Sequence, residues 1–128
     1  MQILFDTHII LWAVTDDARL PKAAAQMIDN FDNELYFSAA SIWEISIKAG
    51  LNRPDFTFDP SLVRQQLLLG GWAELPIDGS HAAAARALPS HYNDPFDRML
   101  VAQANVEGIM LVTHDTLVAQ YAGPITLL

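Results

Sequence analysis

A chain of 128 residues with 52% hydrophobic and 17% charged side chains carries enough apolar material for one core and too little charge for disorder, so residues 1–128 read as a single domain. Cysteine is absent, which excludes a disulfide framework, thiolate metal sites and a thiol nucleophile. Seven Lys and Arg against fifteen Asp and Glu give a net charge of -8, so the chain does not grip nucleic acid through overall basicity, and any polyanion must be met by a local device such as bound metal ions, a few clustered arginines or a basic partner.

The opening MQILFDTHIILWAV is apolar, but it lacks a basic leader region and is interrupted by Asp6. It reads neither as a signal peptide nor as a span of about 20 apolar residues, and no other segment does better. The expectation is a soluble cytoplasmic protein with no membrane partner. Within this opening, Gln2 to Phe5 is a short apolar run of strand type, followed by helical patterns over Ile9 to Val14 and Pro21 to Asp29. Leu35 to Ser38 is the second strand and Ile42 to Ala49 the third helix. Asn52 to Pro60, with two prolines, reads as a loop before a helix over Ser61 to Leu69 that stops at Gly70-Gly71. Trp72 to Ile77 is the third strand and Ser80 to Ala87 a further helix.

Pro95 to Glu107 is the best-defined helix: Asp94 can cap it, Pro95 suits its first position, Phe96, Met99, Leu100 and Ala104 share one face, and Gly108 ends it. Strands over Met110 to Thr113 and Ile125 to Leu127 complete the chain. Strands alternating with helices predict an α/β domain: right-handed crossovers put helices on both faces of a parallel sheet, and ligands bind outside the carboxyl ends of the strands.

Four acids fall at or near that edge. Asp6 follows the first strand directly, Asp115 follows the fourth after one residue, Glu44 lies in the first turn after the second strand, and Asp97 lies in the first turn of the long helix. Packed together without a cation, such carboxylates repel one another and take up protons. A hard divalent ion relieves this, and oxygen ligands without Cys suit Mg2+ or Mn2+ better than zinc. Such an ion can activate water and neutralise charge on a phosphoryl group, which is what phosphodiester hydrolysis requires. Each acid alone also fits a structural role. Ser41-Ile42-Trp43-Glu44 has the form of a capping box, Asp94 and Asp97 suit a cap and a first-turn acid, and Asp6 and Asp115 can each cap a following helix.

The segments Ile3-Leu4-Phe5-Asp6-Thr7-His8-Ile9-Ile10-Leu11-Trp12, Ser38-Ala39-Ala40-Ser41-Ile42-Trp43-Glu44-Ile45, Asp94-Pro95-Phe96-Asp97-Arg98-Met99-Leu100 and Leu111-Val112-Thr113-His114-Asp115 together resemble PIN-domain proteins, and more narrowly the VapC-type toxins of bacterial toxin-antitoxin pairs. The resemblance runs in order over essentially the whole chain. It implies a three-layer α/β/α sandwich around a parallel sheet of about five strands. It also implies a metal-dependent endoribonuclease whose catalytic and metal-binding acids are Asp6, Glu44, Asp97 and Asp115. Thr7 and Thr113 match positions that support such a site through hydroxyl hydrogen bonds. Asp94 is an accessory acid that orients water or acts as a cap, and Arg98 can clamp phosphate. An RNA substrate, a cognate antitoxin and pairing as a homodimer are further implied, with DNA reached only indirectly through the antitoxin.

His8 and His114 stand beside acids but are weak ligands for magnesium, and Lys48 and Arg53 flank a loop that could touch an RNA backbone weakly. Trp12 and Trp43, with Leu11, Ile42 and Ile45, could line an apolar groove for a partner helix. A phosphatase with two aspartates two residues apart is excluded because that second position is His8, and a receiver domain needs a lysine after a late strand, where the only lysines are Lys22 and Lys48. The alternative kept is a binding module that retains the fold and acid pocket without useful turnover.

Overall fold

The protein is described by a computed structural model covering residues 1–91 and 93–128. In chain order its elements are β1 (Gln2–Phe5), α1 (Thr7–Val14), α2 (Lys22–Asp29), β2 (Glu34–Ser38), α3 (Ala39–Ala49), α4 (Pro60–Leu69), β3 (Ala73–Leu75), α5 (Gly79–Ala87), α6 (Pro95–Glu107), β4 (Met110–Thr113) and β5 (Ile125–Leu127), with a 3-10 turn at Val118–Gln120. The strands form one parallel sheet in the order β3-β2-β1-β4-β5. No helix among the described residues is long and apolar enough to cross a membrane.

Period-2 alternation along the strands sends side chains to two separate cores. Ile3, Phe5, Phe37 and Val112 pack on one face against Ile9, Ile10, Ala24, Ile45, Val63 and Leu67 from α1 to α4. Leu4 and Leu111 pack on the other face against Leu100, Val101 and Ala104 of α6, with Val118 and Tyr121. The result is the three-layer α/β/α arrangement, with the innermost strand β1 buried on both sides.

Most boundaries lie within one or two residues of the sequence reading. The larger difference is α3, which starts at Ala39 rather than Ile42 because Ser38, the last residue of β2, is its cap: Ser38 Oγ accepts from Ala40 N at 3.0 Å. Strand passes into helix with no loop, and this carries Ser41 and Glu44 inside the helix. The capping box expected at Ser41 is therefore not formed. At the far end of α6, Gly108 adopts a left-handed φ of 67°, a conformation that glycine reaches without the Cβ clash other residues meet.

One buried polar bridge ties the two halves of the sheet edge together. Ser38 Oγ donates to Gln103 Oε1 at 2.5 Å, and Gln103 Nε2 donates to Pro76 O at 3.3 Å, so α6, β2 and the segment after β3 share one side chain with no solvent exposure. Gln103→Leu leaves the Ser38 hydroxyl and the Pro76 carbonyl without this partner. It should lower stability by about 1–3 kcal/mol, read as a lower urea midpoint at unchanged slope. A wild-type midpoint would show that the bridge contributes nothing.

Candidate active site

Strand order reverses direction between β1 and β4, and in an open parallel sheet the crevice outside the strand ends at such a switch point is where ligands bind. Asp6 leaves β1 at this crevice. Its backbone N–H still donates to Val112 O on β4 at 3.0 Å, continuing the ladder by one step. Its Oδ1 accepts from Ile9 N at 3.1 Å and caps α1. Its Oδ2 accepts from the hydroxyl of Thr113, the last residue of β4, in a short buried hydrogen bond. The same Thr113 Oγ1 accepts from Asp115 N at 3.0 Å, so one hydroxyl links the two acids that flank the crevice. Asp115 Oδ1 in turn accepts from Leu117 N at 2.9 Å.

The crevice opens into a cavity of about 380 Å³ whose lining includes Asp6, His8, Trp12, Arg19, His114 and Asp115. Both flanking acids thus meet one cavity.

Glu44 and Asp97 approach from the β2 side. Thr7 Oγ1 donates to Ser41 Oγ at 2.9 Å, which ties the first turn of α1 to the first turn of α3. Glu44, one turn further along α3, is 4% exposed. Its Oε2 accepts from Lys48 Nζ at 2.7 Å, while its buried Oε1 has no hydrogen-bond partner among the described residues. α6 packs beside α3 with Trp43 and Phe96 in edge contact at 5.3 Å. These rings immediately precede Glu44 and Asp97 in the chain. Asp97 is half-buried, and its N–H, like that of Phe96, donates to the capping Asp94 Oδ1.

Asp6 and Asp115 are thus joined at the carboxyl edge of the sheet through Thr113, with Glu44 carried by α3 and Asp97 by the first turn of α6. The four acids are not drawn into a single closed shell. Among the described residues, the trio of ligating side chains whose atoms all lie within 4.8 Å of one another is Asp78, His81 and Glu107, and it contains none of the four. That trio is explained by its own hydrogen bonds. Asp78 caps α5, His81 Nδ1 accepts from Asp78 N at 3.0 Å, and His81 Nε2 donates to Glu107 Oε1 at 2.7 Å.

Several residues lie elsewhere than their sequence suggests. Arg98, weighed as a phosphate clamp, donates to the carbonyls of Ala85, Leu88 and Pro89 and to the Tyr121 hydroxyl, closing the carboxyl end of α5. Adjacent helical positions point apart, so a neighbour of Asp97 faces another direction. Lys48, read as a loop cation for RNA, is the ion-pair partner of Glu44. Leu11 and Ile45 are core residues, whereas Trp43 is 59% exposed and is accompanied by exposed Ile47 on α3 and exposed Leu51 in the turn after it. Arg19 and Gln103 gave no sequence signal. Lys48 did, through its four-residue spacing from Glu44.

The donors at this edge are carboxylate oxygens, and two observations fit a hard cation there. One Glu44 oxygen is buried without a hydrogen-bond partner among the described residues. Burial also raises the Asp6 carboxyl above its ordinary 3.8, against the opposing hydrogen bonds of Thr113 and Ile9 and the charge of His8.

The family model described as PIN domain matches residues 3–124. "Ribonuclease VapC22" of Mycobacterium tuberculosis (strain ATCC 25618 / H37Rv) is 35% identical over 123 residues, covering 95% of this chain and 93% of its own length. Two solved structures share the fold. VapBC2 from Rickettsia felis, bound to a DNA fragment from its promoter, aligns at TM-score 0.68 with 14% identity over 100% of this chain and 98% of that one. DNA-bound VapBC from Salmonella typhimurium aligns at TM-score 0.67 with 14% identity over 100% and 97%.

The Asp6 shift has a definite sign. A carboxyl raised in the folded state contributes stability fully below pH about 3.8, and this is lost as pH rises through the raised value. Asn caps a helix about as well as Asp. Without divalent ions, wild-type protein should therefore lose unfolding temperature relative to Asp6→Asn as pH rises above about 4, and Mg2+ should recover it in wild type alone. Parallel curves for the two proteins, by calorimetry with and without Mg2+, would contradict this reading of Asp6.

Proposed function

Because the chain belongs to the PIN-domain family, we propose that it is an endoribonuclease toxin that hydrolyses RNA phosphodiester bonds with Mg2+ or Mn2+ and is neutralised by a cognate antitoxin. The observation that carries this reading is the pair Asp6 and Asp115, joined through Thr113, at the open switch-point crevice of the sheet. Residues 1–128 act as one domain in the cytoplasm, where RNA and antitoxin are met, and the toxin pairs as a homodimer.

Asp6, Glu44 and Asp97 are the residues that would hold the ion, directly or through water, and Asp115 completes the pocket. When bound, the ion supplies activation of water and neutralises charge building on the phosphoryl group. The protein's part is orientation and exclusion. The Thr113 hydroxyl fixes Asp6 Oδ2, leaving that carboxylate little rotational freedom, and Asp94 holds the first turn of α6 in place for Asp97. Lys48 neutralises one oxygen of Glu44 and leaves the other available. Thr7 sets the spacing between α1 and α3 through Ser41.

The exposed Trp43 and Ile47 lie four residues apart along α3, with exposed Leu51 in the turn just past its end, and together they offer an apolar strip that can receive an amphipathic segment. Together with the net charge of -8, this strip supports a basic antitoxin arm as the partner, and DNA then enters the assembly through that partner.

The test is incubation of purified, partner-free protein with total bacterial RNA in Mg2+, Mn2+ and EDTA, beside Asp97→Asn. Discrete fragments that vanish with EDTA are expected, with the Asp97→Asn rate down by at least about a hundredfold, the scale of losing an electrostatic group at a reacting centre. Absence of cleavage by folded protein free of inhibitor would overturn the enzyme in favour of a binding module.

A further inference from the structure

We propose that the cavity beside Asp6 and Asp115 receives one unpaired nucleotide of the RNA, its base stacked on the wall built around Trp12 and its backbone phosphate contacted by Arg19. This rests on the endoribonuclease reading and assigns the station that holds the nucleotide next to the scissile bond.

The acids form only part of the cavity, whose volume of about 380 Å³ lies within the range of about 300–1,000 Å³ common for small-ligand sites. The rest is aromatic and cationic. The Trp12 ring centre lies 6.0 Å from that of His8 and 5.5 Å from that of His114, the latter edge-on at 72°. The Arg19 guanidinium carbon lies 5.6 Å from the Trp12 ring centre. Indole, imidazole and guanidinium planes are the surfaces on which unstacked bases lie in single-stranded RNA complexes, and they tolerate any base because every base has a π-face. A base held in a duplex cannot present that face.

The wall is ordered by contacts that have no bearing on the acids. His114 Nδ1 donates to Leu128 O at 2.7 Å, which fixes the ring against Trp12. Asp17 N donates to Trp12 O at 2.9 Å and folds the segment after α1 back over the helix end. Asp17 then takes Arg19 Nε at 3.1 Å and Nη2 at 2.8 Å on its two oxygens. The Arg19 pairing holds the Asp17 carboxyl down at about 2, so it stays ionised throughout the neutral range. Arg19 Nη1 has no hydrogen-bond partner among the described residues, so an anchored guanidinium keeps an edge for a phosphate oxygen.

Binding of fluorescently labelled single-stranded oligoribonucleotides is measured by anisotropy in full-length protein carrying Asp97→Asn with Mg2+, which keeps the RNA uncut, and cleavage is measured in the native background. Adding Trp12→Ala should weaken binding about tenfold or more, whereas Trp12→Phe, which keeps a stacking face, should recover most of it. The Arg19 side chain is 72% exposed and outside the core, so Arg19→Gln tests the site without disturbing the core. It should lower the slope of log K against log salt by about 0.7, the value of one phosphate on a single strand. Duplex RNA should be indifferent to Trp12. Wild-type binding and cleavage by folded Trp12→Ala and Arg19→Gln would overturn the nucleotide station and leave the endoribonuclease standing. Loss of antitoxin binding with unchanged RNA binding would overturn it by assigning the wall to the protein partner. Failure of the wild-type protein to bind or cut any RNA would overturn both readings.

Discussion

The structure turns on one buried carboxylate. Asp6 stands at the end of the innermost strand with 4% of its surface exposed, so ionising it costs solvation that the Thr113 hydroxyl and one helix N–H only partly return. A stably folded chain gains nothing from such a group where a serine or asparagine would cap α1 about as well. The carboxylate is understandable as one half of an interaction whose other half is a cation. Sheet order, the reversal between β1 and β4, and the linking hydroxyl of Thr113 all serve to hold it at an open edge.

The same logic extends to the other side of the crevice, with a different solution. Glu44 is as buried as Asp6, yet Lys48 supplies a cation from the chain itself to one of its oxygens. The other oxygen has no hydrogen-bond partner among the described residues. Of the two buried acids at this edge, one is covered by hydroxyl and amide donors and the other by half an ion pair, and neither is fully compensated. In a chain with a net charge of -8, such uncompensated acids attract cations locally, so any positive charge they gather is concentrated at this edge rather than spread over the surface.

Much of this was legible in the sequence. β1, β4, β5 and α6 have the bounds their residues suggest, since Asp6 directly after β1, Gly108 shortly before β4 and Gly123-Pro124 just before β5 leave little choice, and Pro95 and Gly108 mark both ends of a helix. Trp72 to Ile77 shortens to Ala73–Leu75 because β3 is an edge strand paired on one side alone. The start of α3 is ambiguous in the sequence because two serines three residues apart can each cap a helix, and only the contact between Thr7 and Ser41 shows that the second is occupied. Asp6 and Asp115 stood out because they follow strands. The environment of Arg98 depends on where α5 ends, and that of Arg19 on a turn in which Asp16 takes a φ of 51°. Neither leaves a periodic trace.

The most direct test of a divalent ion at the Asp6 edge is equilibrium binding of Mn2+, followed by the electron paramagnetic resonance signal of the free ion, in wild-type protein, Asp6→Asn and Glu44→Gln at neutral pH without RNA. Binding by the wild type, weakened about tenfold or more in each variant while the fold is retained, is the expected result, on the scale of perturbing a metal's ligand environment. Equal Mn2+ affinity in all three proteins, or no binding by the wild type, would contradict a cation as the partner of the buried acid.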